Sequence, residues 1–420
     1  MNLQLLWYTL CVFSIWTTKI SGECILPTVR HYAIPATFTP PKIDGNINDL
    51  EWANAPWTEE FVDILDLPKA AISPPLKTRA KMLWDDEFIY VAAQLFDPFI
   101  VANLTVMPEL QGKFFKSQLI PSHHIYMVQH YTEYLDMFEN TFEMLIDTDR
   151  THHQLKRIQI NPLGIRRSIQ YDKPPIDGGI ASVWKMDSKF ESAVSNTSEV
   201  HQLVNGALNK VIDIATGLDT QSLWTIEWAI PISSLKPRTK RETHSAPPYS
   251  SFQFLRSGWP PTMSPSPEDS ELKARKRRRR YINPAIERLI PRSPYLQAWS
   301  PAVEEEMLEP ETWATIEFLP LNGTSNLEGD SSYPRLESRT RFTLMQIYRA
   351  QKELFERIGS YTDILSELNI KGPPLGECSD IPIIEIKEGG TRYEVKIYLT
   401  NGSGRVGHIR QDRYLWFDTE

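Results

Sequence analysis

The sequence predicts a mainly β protein: an antiparallel β-sandwich, jelly-roll or immunoglobulin-like, followed by a small α+β domain. Three observations predict it. Short stretches of alternating apolar and polar residues recur between about Thr78 and Phe318, as in strands with one buried face. Helical periodicity is scarce in that span, and many short strands without intervening helices favour antiparallel sheets. Past Ser338 the period lengthens to that of a helix, and a second alternating stretch follows it.

The strand that organises the chain is Asn140 to Asp149. Phe142, Met144 and Ile146 project to one face and Glu143, Leu145 and Asp147 to the other. One face is built for a core, while the other holds a carboxylate before the acidic turn Asp147-Thr148-Asp149.

Residues 1–22 read as a secretory signal, with an apolar run from Leu3 to Trp16, then Lys19 and the small residues Ser21 and Gly22. The run is shorter than the roughly 20 residues a spanning helix needs. The expectation is a secreted, extracellular protein with no membrane span after signal removal. Pro27 to Lys42 is extended, and Ile43 to Asp49 forms a polar turn before Glu51-Trp52 and Ala55-Pro56-Trp57. Thr78 to Trp84 and the apolar run Phe88 to Leu95 make a hairpin around Asp85-Asp86-Glu87.

Asp97 to Tyr134 is irregular. After the organising strand, Leu155 to Asn161 alternates with Ile158 and Ile160 inward, and Trp224, Ile226, Trp228 and Ile230 share a face before Pro231. Ser251 to Arg256 and Thr312 to Phe318 complete the sandwich, which spans 34–320 and carries a proline-rich, then basic, loop insertion at 260–292. A polar linker, 321–339, leads to the α+β domain, 340–420. Leu344, Ile347, Tyr348, Gln351, Leu354, Phe355 and Ile358 form an amphipathic helix stopped by Gly359. A second short helix covers Ile364 to Leu368, a strand Tyr393 to Leu399, a turn Asn401 to Gly404, and a returning strand Tyr414 to Phe417.

With 23% charged and 41% hydrophobic residues, the chain is ordinary for a globular protein. Its net charge is −8 even though Lys273, Arg275, Lys276, Arg277, Arg278, Arg279 and Arg280 supply seven positive charges, so the remainder is strongly acidic. That balance argues against nucleic acid as a partner. Four acceptor sequons, at Asn103, Asn196, Asn322 and Asn401, fit a glycoprotein. Of three cysteines, Cys11 leaves with the signal; Cys24 and Cys378 either pair or stand as separate thiols.

Several of these stretches carry a family likeness. Ile43-Asp44-Gly45 with Trp52, Lys81 to Asp86 leading into Ile89 to Ala93, and Phe142 to Asp147 resemble the family 9 carbohydrate-binding modules. So do Trp228-Ala229-Ile230-Pro231, Trp299-Ser300-Pro301, and Glu309-Pro310 before Trp313. The resemblance implies a secreted, DOMON-like β-sandwich that binds sugars, of the kind found beside glycoside hydrolases in carbohydrate catabolism. It places a hydroxyl-binding glutamate at Glu143 and a second polar contact at Gln159; read from the strand alone, Glu143 is instead a carboxylate paired with Arg157 or another base. The two ring-stacking positions fall at Met137 and Met307, neither of them aromatic; Tyr134, Phe138, Trp299 or Trp184 would then supply the stacking face. The helix run from Ile347 to Phe355 is similar to a tail on some bacterial modules of this kind, which assigns no function.

Other chemistry is sparse. Asp147 and Asp149 offer hard oxygen ligands for calcium, although local turn hydrogen bonding explains the same residues. His123-His124 and His152-His153 lack zinc-ligand spacing. A glycoside hydrolase needs two carboxylates about 5 to 10 Å apart in a cleft, and the dense acidic runs Glu304-Glu305-Glu306 and Asp85-Asp86-Glu87 read instead as solvated turns. The leading expectation is thus a non-catalytic carbohydrate-binding protein with no required cofactor. The alternative is an extracellular interaction or structural protein that presents the basic run to sulfated glycans or a protein partner. A glycoside hydrolase is the third.

Overall fold

The computed structural model describes residues 26, 29–64, 76–97, 100–102, 140–197, 200–204, 207–212, 223–235, 249–258, 295–301, 307–320, 332–371, 379–399 and 404–419. In chain order the strands are β1 (His31–Ile34), β2 (Val62–Asp63), β3 (Thr78–Trp84), β4 (Phe88–Phe96), β5 (Ile100–Val101) and β6 (Thr141–Asp147). Next come β7 (Leu155–Ile160), β8 (Arg166–Tyr171), β9 (Ala181–Val183), β10 (Glu191–Asn196), β11 (Val200–Val204) and β12 (Ala207–Ile212). β13 (Leu223–Pro231), β14 (Tyr249–Gly258), β15 (Tyr295–Ala298) and β16 (Ala314–Phe318) close the sandwich. Helix α1 (Ser332–Ile358) precedes β17 (Ile383–Lys387), β18 (Arg392–Tyr398), β19 (Arg405–Arg410) and β20 (Leu415–Thr419).

The protein is mainly β, an antiparallel sandwich followed by a small helix-and-sheet unit. One sheet runs β1-β16-β14-β6-β7-β8-β9, with β15 and β2 on the far half of β14; the facing sheet runs β10-β13-β4-β3. The alternation of the sequence becomes the core. Phe142, Met144, Ile146, Ile158, Ile160, Phe252 and Phe254 of the first sheet pack against Val91, Ala93, Leu95, Trp224, Ile226, Trp228 and Ile230 of the second. Truncating one of these large side chains to Ala would cost about 3 to 5 kcal/mol.

Buried polar groups tie the sheets at one end. Asp97 Oδ2 accepts hydrogen bonds from Asn140 Nδ2 at 2.5 Å, Tyr295 OH at 2.7 Å and Arg256 Nη2 at 2.8 Å. Arg256 is fully buried and also donates to Thr78 Oγ1 at 2.7 Å. The Ile43 to Trp57 segment covers the outer face of the facing sheet. Glu227 on β13 accepts from the Asp44 and Gly45 backbone N–H groups at 3.0 and 2.6 Å and from Trp52 Nε1 at 2.6 Å. Gly45 has φ +90°, and a Cβ there would lie 2.9 Å from Ser195 Cβ, so this turn requires glycine.

The last 90 residues have their own core, in which Leu344, Ile347, Tyr348 and Leu354 of α1 meet Tyr393, Val395, Ile397, Ile409 and Leu415 of the β17-β18-β19-β20 sheet. Gly359, at φ +77°, ends the helix, and its N–H donates to Phe355 O at 2.8 Å. Several expectations change. α1 starts at Ser332, inside the stretch read as linker, and the second helix is one 3-10 turn, Leu365–Glu367. The strand returning beside β18 is β19, with β20 beyond it, and β17 lies on the other side. β1 pairs in parallel with β16 within the stretch read only as extended; Pro35 ends it, as suits a sheet edge.

Ion pairs dock this unit on the sandwich. Arg413, almost wholly buried, binds Asp177, Glu309 at 3.2 Å and Glu311 at 2.6 Å. On α1, Arg349 reaches Glu309 and Glu311, and Lys352 reaches Asp177 at 2.6 Å. Glu337 meets Arg150 at 3.3 Å. Among the described residues no helix is long and apolar enough to cross a membrane.

Candidate functional site

Glu143 and Gln159 face each other across β6 and β7, so the structure brings together the two residues expected to hold a sugar. Their surroundings favour the other reading, a strand carboxylate paired with Arg157. Glu143 is only 3% exposed. Its Oε2 accepts from Arg157 Nε at 2.8 Å and Nη2 at 2.6 Å, and its Oε1 accepts from Gln159 Nε2 at 3.3 Å and Thr141 Oγ1 at 3.2 Å. Against the cost of burial, Glu143 and Tyr171 hold the Arg157 guanidinium above its ordinary pKa. The pair is an internal anchor: the carboxylate has spent its acceptors on the protein, and a sugar hydroxyl would have to displace them.

Met307 lies on this face, buried among Leu145, Leu255, Leu296 and Trp313. Trp299 does not. It lies between the sheets with no exposed surface, edge-on to Tyr32 at 6.1 Å and tilted against Phe254 at 5.6 Å, and is a core residue rather than a stacking platform. Tyr134, Phe138 and Met137 lie outside the described residues, as do Cys24, Cys378, Asn103, Asn322, Asn401 and the run from Lys273 through Arg280. Of the sequons, Asn196 is described. Its Nδ2, the atom a glycan would occupy, donates to Pro162 O at 3.0 Å.

The acidic turn after β6 is engaged by its own backbone. Asp147 is fully buried, with Oδ1 accepting from Thr151 N at 3.2 Å and Oδ2 from His152 N at 2.9 Å. Asp149 Oδ1 accepts from Thr151 Oγ1 at 2.7 Å. Arg150, His152 and Gln154 all take positive φ, and these hydrogen bonds hold that turn. Burial and the Asp149 charge push the Asp147 carboxyl up to about 8. Among the described residues no group of three or more His, Cys, Asp or Glu side chains is placed to hold a metal. The two aspartates cap a turn, the local hydrogen bonding weighed against calcium above.

An open cleft lies instead on the other face of the same sheet, at its β7-β8-β9 edge. Lys156, Gln170 and Ser182 are register partners on three adjacent strands and stand in a row across its floor. Trp184 and Lys185 follow β9 as one wall, and Ser233 and Ser234, in the single helical turn Ile232–Leu235 after β13, form the other. The cavity measures about 350 Å³, within the range of small-ligand sites. Gln170 Nε2 donates to Gln154 Oε1 at 2.6 Å, and Lys156 Nζ donates to Leu235 O at 3.0 Å. Val183, 60% exposed, borders the rim through its backbone side, since its side chain follows Ile169 on the opposite face of the sheet.

The sequence held one sign of this site. Lys156 falls on the inward face of β7 with Ile158 and Ile160, and a lysine in a core row is costly unless it has a task. The rest was not legible, because β8 and β9 lack clear alternation and the serine wall arrives from the opposite sheet.

No family model matches the chain, and no curated protein matches it. Solved structures similar to it include a family 9 carbohydrate-binding module from Caldicellulosiruptor kristjanssonii in complex with cellotriose. That structure shares 12% identity at a TM-score of 0.34, over 70% of this chain and 96% of that one. The same organism's module in complex with glucose gives 11% identity and a TM-score of 0.34, over 70% and 100% of the two chains. At these values neither a residue role nor a ligand transfers to this chain.

Proposed function

We propose that the chain is a secreted, non-catalytic carbohydrate-binding protein that takes its saccharide in the β7-β8-β9 cleft. The observation that supports this most is the row Lys156, Gln170, Ser182 beneath two serines, with the Trp184 edge beside it. A pyranose presents hydroxyls around its rim and apolar C–H faces. A site of amide, hydroxyl and ammonium groups interrupted by apolar surface complements both. Among the described residues the lining is amide, hydroxyl, ammonium and apolar groups, a set suited to binding a saccharide. Secretion rests on the apolar run Leu3 to Trp16.

The test is a glycan-array screen of the full chain secreted from a eukaryotic host, followed by calorimetry on Gln170→Ala. The reading expects a bound saccharide and a loss of roughly tenfold in affinity in the variant. No bound glycan, or binding indifferent to Gln170→Ala, would contradict it. A second reading draws on the burial of Glu143: the sandwich serves as a scaffold, and the run from Lys273 to Arg280 binds sulfated glycosaminoglycans or a protein partner through charge. Binding abolished by deleting residues 273–280 would favour it.

A further inference from the structure

Building on the proposal that this cleft holds a saccharide, we infer that its ligand is anionic, a sugar bearing a carboxylate or a sulfate group that sits against Lys156 and Lys185. Two ammonium groups line one small cleft, and among the described residues no acidic residue lines it with them. Lys156 is 4% exposed, and its Nζ donates to two backbone carbonyls, Leu235 O at 3.0 Å and Gln154 O at 3.4 Å, rather than to a carboxylate. A further contact is the Trp184 ring in the cleft wall, whose centroid lies 5.8 Å from Nζ, a weaker partner than a ligand anion would be. Lys185 stands exposed on the opposing wall.

The surrounding charges agree with this placement. Burial disfavours the Lys156 ammonium and pushes its pKa down, while Asp149 and Asp147, in the turn before β7, pull the other way. Those two carboxylates are committed to their own turn. Asp187, beyond Lys185, is turned to Ser233 Oγ at 3.1 Å and Lys189 N at 3.0 Å. A ligand anion would therefore meet an incompletely compensated buried cation, where charge-assisted hydrogen bonds are strongest. A neutral sugar would leave that cation as it is.

Calorimetry on the full chain tests the inference, with a neutral oligosaccharide, its uronic-acid counterpart and its sulfated counterpart as probes at low and high salt. The expectation is that one or both acidic probes bind at least about tenfold tighter than the neutral one, with the advantage shrinking in salt. Lys156→Gln should remove that advantage. Lys185→Gln, an exposed site that leaves folding untouched, should reduce it severalfold. Neutral and acidic probes bound alike, and lost together in Gln170→Ala, would overturn the anionic preference while leaving the carbohydrate reading standing. Binding of none of the three would overturn both. Acidic binding insensitive to either lysine but lost on deletion of residues 273–280 would overturn the inference and move the anion site to the basic run.

Discussion

Glu143→Ala removes half of a buried ion pair and leaves the Arg157 guanidinium without its counter-charge. Breaking such a pair costs about 3 to 5 kcal/mol. Chemical denaturation should show that loss, while the folded variant keeps its affinity for saccharide. An unchanged midpoint with abolished binding would return Glu143 to the ligand site. Gly45→Ala should also destabilise, by about 1 to 3 kcal/mol, because the new Cβ meets Ser195 at a positive φ. At this scale the sequence offered two roles for Glu143, a sugar contact or a partner of Arg157, and the structure shows the pairing. A glutamate on a central strand looks alike whether it faces a ligand or an arginine, and Arg157, two residues before Gln159 on the next strand, was the available sign. The Asp44-Gly45-Trp52 motif likewise proves to be a clamp closed by Glu227, a partner 175 residues away from Trp52 in the chain.

Among the elements, strands with strong alternation were legible with their faces correct, as β6, β7 and β13 show. Weakly patterned ones such as β8, β9 and β10 were not, since strands at a sheet edge or next to it bury little and need no strict period. The docking of the C-terminal unit was hidden for another reason: Asp177, Glu309, Glu311 and Arg413 are far apart in sequence and meet only in the fold. Arg413→Ala leaves Asp177, Glu309 and Glu311 with only Lys352 and Arg349 as counter-charges. Limited proteolysis should then cut between the two units of the variant at protease levels that spare the parent. Equal resistance would show that the ion pairs do not hold the units together.

For the whole molecule, the same contacts set a pH profile. Burial and the neighbouring Glu311 push Glu309 up to about 7, so its contribution favours the fold at acid pH and is lost as pH rises through about 7. Asp147, pushed up to about 8, acts in the same sense. Asp177 and Glu337 work oppositely: against the cost of burial, Arg413 and Lys352 hold the first down and Arg341 and Arg150 the second. Their contribution is present above the ordinary carboxylate pKa and lost as pH falls below it. Thermal stability should therefore peak near the ordinary carboxylate range, about pH 4 to 5, and decline toward pH 7 to 8, and Glu309→Gln should flatten that decline alone. A profile that climbs steadily to pH 9 would refute this.

The central claim is that the saccharide occupies the β7-β8-β9 cleft and not the Glu143 face. Hydrogen–deuterium exchange of the full chain, with and without the saccharide found on the array, tests it directly. Protection gathered at Gln154 to Lys156, Gln170, Ser182 to Lys185 and Ser233 to Ser234 is the predicted result. Protection confined to the β14-β15 side of the first sheet, around Leu255 and Gln297, would contradict it.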